Sequence, residues 1–169
     1  MDFLFDYISL STFWTILLII HGLLAVALLG ALTHQAMAVL APPRPGEEGF
    51  LTRFRAVSAA RYANAVCLLW ILTFILGAWL YAKYRIYVRI PIEQQGYWKT
   101  LGAFELKEHL ASFGLALLPI YLYLWHNVDN VNKPEYRHAR KWLTVWLAAV
   151  CWYVYLVGHI VNNVRGYGS

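Results

Sequence analysis

Long apolar stretches alternate with short polar and charged segments along the whole chain. Positions 13–40 hold no charged residue, and as a helix they would extend about 42 Å, more than the roughly 30 Å hydrocarbon layer of a bilayer. The residues ahead of this run carry Asp2 and Asp6 but no Lys or Arg, and the run is too long for the apolar core of a cleaved leader, so a signal peptide is not expected. The segment APPRPGEEG over 41–49 should stop the first helix, because proline removes donors and fixes φ. A short amphipathic lead-in with Arg53 and Arg55 then opens a second span over 62–82. Residues 83–101 read as a loop bearing Lys83, Arg85, Arg89, Glu93 and Lys99; its alternation YRIYVRI suits a short extended segment at the membrane surface. A third span over 104–125 begins with an acidic turn, AFELKEH, and should kink at Pro119. The polar connection 126–141 leads to a fourth span over 142–162. The expected fold is therefore an all-α integral membrane protein. It is a four-transmembrane-helix bundle in a single domain over 1–169, with both termini on the same side.

Composition agrees with the pattern and removes other classes. Of 169 residues, 60% are hydrophobic and only 14% charged, too little polar surface for a soluble domain of this length. An aromatic share of 17% excludes disorder, and two cysteines, Cys67 and Cys151, both inside apolar runs, exclude a disulfide scaffold and read as buried thiols. The net charge of +5 is spread between the apolar runs rather than clustered, which argues against a nucleic-acid surface. On the side shared by the termini (side A) lie Lys83, Arg85, Arg89, Lys99, Lys107 and Arg165. The other side (side B) has Arg44, Arg53, Arg55, Arg61, Lys133, Arg137, Arg140 and Lys141, eight against six. The positive-inside rule then makes side B cytoplasmic and leaves the termini outside.

The candidate chemistry is carried by histidine. All six lie in or at the end of an expected span: His21, His109 and His159 toward side A, and His34, His126 and His138 toward side B. An ionisable ring in hydrocarbon is costly unless it meets a partner, a cavity or a cofactor. Neutral imidazole is an axial ligand of haem iron, and two tiers of imidazoles could hold two haems as an electron wire across the bilayer. His21, His34, His109, His126 and His159 are the axial candidates, and Arg85 and Arg89 could receive haem propionates, an anionic lipid or a partner subunit. The spacing tests this unevenly: His21 and His34 are about 140° apart around one helix, whereas His138 and His159 share a face that continues through Val145, Trp152 and Tyr155. His159→Ala is expected to remove one haem. Asn162 and Asn163 could fix the His159 tautomer or simply cap the helix. Glu105, Lys107, Glu108 and His109 at the mouth of the third span could exchange protons with a quinone or form an interfacial amphipathic turn. No CxxCH, CxxC, HExxH or phosphate-binding glycine pattern is present, so a substrate reaction would need a partner subunit.

In its four spans and tiered histidines the layout resembles the four-helix membrane cytochrome b subunits that anchor respiratory enzymes and exchange electrons with quinone. The 13-residue spacing of the first helix departs from their one-face ligand pairs. The expected function is a b-type cytochrome subunit that holds one or two haem b groups by bis-histidine ligation, in a bacterial inner membrane. It would relay electrons between the quinone pool and a partner redox protein of the same complex. The alternative is a cofactor-free accessory or anchoring subunit of a larger membrane complex, its histidines satisfied by helix-to-helix hydrogen bonds.

Overall fold

The computed structural model describes residues 9–44, 46–56, 59–127 and 133–167, which are almost wholly helical, with no strand among them. The helices are α1 (Leu10–Leu40), α2 (Phe50–Arg55), α3 (Ala59–Tyr84), α4 (Ile90–Gln94), α5 (Trp98–His126) and α6 (Pro134–Tyr167), with a π-helical turn over Arg85–Arg89. Three apolar helical stretches, Leu10–Leu40, Arg61–Gln94 and Pro134–Val161, are long and apolar enough to cross a bilayer. The chain is a membrane protein, and the exposed Leu23, Leu68 and Ile160 on these stretches present the apolar surface that lipid solvates. Asp2 and Asp6 lie outside the described residues.

Local chemistry sets the helix ends. Ser9 caps α1, its Oγ accepting from Thr12 N–H at 3.2 Å, and Pro42 and Pro43 end it. The expected loop over 83–101 is mostly helical instead. Pro91 stands in the first turn of α4, where a missing N–H goes unused, and the π-helical turn before it absorbs the irregularity, so the helix runs on to Gln94. Gly96, at φ +74°, then closes it: Gly96 N–H donates to Glu93 O at 3.0 Å and Tyr97 N–H to Ile92 O at 3.2 Å. α5 starts at Trp98, so the acidic residues thought to open it lie about two to three turns inside. The helix also continues through Pro119. The polar connection before α6 shrinks because Pro134, a favoured first-turn residue, starts that helix early.

The four long helices pack in a ring in which α1 meets α3 and α6, and α5 also meets α3 and α6. Small residues and large ones interlock across it. Trp70 of α3 is 3% exposed, donates Nε1–H to Ala111 O at 3.2 Å, and lays its ring against Gly114 of α5. The main core joins Leu32, Val66, Trp70, Tyr121 and Leu147, and a second core at the other end joins Ile92, Leu101, Phe104, Val157 and Val161. Both cysteines are free and buried.

One polar pair crosses the main core. Tyr121 donates its hydroxyl to Gln35 Oε1, and both side chains are fully buried. Tyr121→Phe leaves that carbonyl oxygen without a donor in a dry interior, and stability should fall by about 1–2 kcal/mol. Reversible unfolding in mixed detergent measures it, and an unchanged midpoint would remove this pair from the account of the core.

Candidate functional site

The side A end gathers polar groups from every long helix. His21 of α1 packs on Gly77 of α3 so closely that a Cβ added at Gly77 would stand 3.1 Å from His21 Cε1. His21 Nδ1 is buried and has no hydrogen-bond partner among the described residues. An alanine at Gly77 would require the ring to give by a few tenths of an ångström, so the glycine lets it sit close on α3.

Lys107 of α5 reaches inward at the same end. Its stem lies near Gly158 of α6, where an added Cβ would be 3.6 Å from Lys107 Cε, and its ammonium sits 4.2 Å from the centre of the Phe104 ring. Tyr84 stacks on Phe104, centroids 3.8 Å apart and 12° between planes. Just beyond, Arg89 donates Nε–H to Glu93 at 2.9 Å and pairs through Nη2 with Glu105 at 3.4 Å, which ties the π-helical turn to α5. Arg85 is exposed and forms no ion pair or hydrogen bond among the described residues.

The remaining side A imidazoles face away from His21. His109 is exposed and donates Nδ1–H to Glu105 O at 2.7 Å, one turn back along its own helix. His159 is exposed and lies parallel to Tyr155, 6.4 Å away with 4° between planes. It stands seven residues along α6 from Trp152, which donates Nε1–H to Thr33 of α1 at 3.1 Å, so His159 lies on the stripe beside α1. His21 is turned toward α3. Asn163 is exposed, and the Asn162 side chain, like that of Arg165, lies outside the described residues.

At side B, His34 donates Nδ1–H to Phe54 O at 3.1 Å, and its ring lies on the Phe54 ring at 3.7 Å. That contact pins α2 to α1, as does Arg55, which reaches Ala41 O and Glu47, each at 3.2 Å. His126 donates Nε2–H to Asn64 Oδ1 at 2.8 Å. His138 is exposed, 6.0 Å from Trp142.

No hydrogen bond or ring contact joins two candidate imidazoles among the described residues, and none there form a group of three His, Cys, Asp or Glu able to hold a metal ion. His21 packs on Gly77 of α3, whereas His34 is held by Phe54 of α2 and also lies 6.2 Å from the Tyr62 ring of α3. Sequence reasoning missed Gly77 as the seat of His21 and the Trp70–Gly114 and Tyr121–Gln35 pairs. Glycines inside apolar runs were the available signal, but nothing in a linear chain says which neighbour each one meets. Comparison of the chain with family models, with curated proteins and with solved structures finds no match.

Proposed function

We propose that this chain is a membrane cytochrome b subunit that holds a single haem b in its side A half, with His21 as one axial ligand. The observation that carries this reading is the buried, unpartnered Nδ1 of His21. A buried imidazole whose Nδ1 meets no hydrogen-bond partner among the described residues is a candidate for a bound cofactor, and haem iron on the same ring would be one such partner. His109 supports the same reading, because giving Nδ1–H to a main-chain carbonyl orients a ring and leaves Nε2 to coordinate. His109 and His159, the other imidazoles at this end, are exposed and turned away from His21, so the second axial bond would require one of them to turn inward.

Side B supports a second haem less than side A supports the first. Leu32, Gln35, Thr144 and Leu147 are 0% exposed and fill the bundle there, while His34 is already covered by Phe54. The reading therefore narrows to one haem. When bound, haem supplies one-electron exchange. The chain's own residues would orient it and exclude water, and Glu105, Glu108 and His109 at the mouth would take up or release the protons that accompany quinone chemistry.

In this proposal α5 is the fourth span, since no charged residue separates His109 from His126 and two crossing helices flank it. Four crossings put both termini on one side, outside by the charge bias, in a bacterial inner membrane beside partner redox subunits. An optical spectrum of the purified protein, oxidised and then dithionite-reduced, decides the matter. A sharp α band with one haem per chain is expected; a colourless protein expressed with ample haem rejects the reading.

A second reading rests on a different observation. His34 and His126 are bonded to other helices, which is the arrangement expected of an accessory or anchoring subunit whose histidines are structural. In that case the colourless protein would still co-purify in stoichiometric amount with the complex it anchors.

A further inference from the structure

We propose that the groove over the π-helical turn binds the phosphate of an anionic phospholipid, with Arg85 as the cation that recognises it. The groove has a volume of about 520 Å³ and is lined by Ala82, Arg85, Ile86, Arg89, Ile90 and Glu93. Its depth in the membrane follows from length. The apolar stretch Arg61–Gln94 has 34 residues and so extends about 51 Å, some 20 Å more than the hydrocarbon layer. With Arg61 at one surface, about 30 Å of helix ends near residue 81, which sets Lys83, Arg85 and Arg89 at the level of lipid headgroups.

Charge at the groove is partitioned between its two arginines. Arg89 is shared by two carboxylates, Glu93 at 2.9 Å, which also lines the groove, and Glu105 at 3.4 Å. Arg85 lines the same groove, is exposed, and forms no ion pair or hydrogen bond among the described residues, so it is the guanidinium open to an added anion. The walls explain why the anion belongs to a lipid. Ile86 is 60% exposed and Ile90 45%, and Trp79, one turn toward the membrane from Ala82, is 54% exposed. Of these residues only Trp79 and Ala82 lie on the membrane side of Arg85, and this exposed apolar surface below a guanidinium matches a phosphate that carries acyl chains, with basic residues at headgroup level attracting anionic lipid.

The test uses the full chain in nanodiscs of phosphatidylcholine with and without 20% phosphatidylglycerol. The anionic lipid should raise Tm of the wild type by about 2–4 °C, Arg85→Gln should abolish the rise, and Lys99→Gln, which removes a cation outside the groove, should keep it. The proposal is overturned if the wild type shows no rise or if Arg85→Gln retains it. An equal loss in Lys99→Gln would mean general surface charge, and an equal rise with inorganic phosphate in phosphatidylcholine discs would mean a free-phosphate site. Both results overturn it. Haem content measured on the same samples separates this claim from the cytochrome reading: a fall in haem for Arg85→Gln with the lipid response intact would assign Arg85 to a propionate and sink the lipid site.

Discussion

Gly114→Ala should unseat Trp70 and lower the stability of the bundle by about 1–3 kcal/mol. A methyl group at position 114 would stand 2.0 Å from Trp70 Cζ2, 2.6 Å from Cη2 and 2.9 Å from Cε2, so the indole cannot stay where it is. Nor can it yield cheaply, since it is 3% exposed and its Nε1–H is bonded to Ala111 O. In lipid, helices gain little from hiding apolar surface, so close van der Waals packing and such hydrogen bonds are what hold α3 against α5. The midpoint of unfolding in mixed detergent reports the loss. A double variant in which Trp70→Leu accompanies Gly114→Ala should be more stable than the sum of the two single losses, because the smaller side chain removes the clash. Strict additivity would mean that the two residues do not share a contact.

His21→Ala should lower haem occupancy at least tenfold, equivalent to about 1.4 kcal/mol or more of lost binding. His34→Ala should leave it unchanged, because that ring is already engaged by Phe54. Unfolding midpoints of both variants show whether the bundle survives, and added free imidazole should restore part of the spectrum to the His21 variant alone. Retention of haem by His21→Ala with a folded bundle would transfer the axial role elsewhere and leave the buried nitrogen without a task. His109→Ala and His159→Ala then identify the second ligand, the one whose loss converts the low-spin spectrum while the other leaves it intact.

The spans were legible because a helix that crosses lipid must be apolar for about 20 residues, a local property that composition records directly. The expected spans over 13–40, 62–82 and 142–162 overlap the apolar stretches Leu10–Leu40, Arg61–Gln94 and Pro134–Val161, with ends that differ by up to twelve residues. The region 83–101 was misread because Pro91 and the YRIYVRI alternation are local signals too, and they gave way to a helix that gains from packing Ile92, 2% exposed, into the second core.

Sequence alone thus determined that the chain is apolar, helical and membrane-bound, because hydropathy acts residue by residue. Tertiary structure alone decided which neighbour each ring meets: His21 on Gly77, His34 on Phe54, His126 on Asn64, and Arg89 rather than Arg85 held by carboxylates. Those pairings depend on the rotation and order of helices in the ring. That order is set by steric fits such as Trp70 into Gly114, between residues far apart along the chain, and no local pattern encodes it.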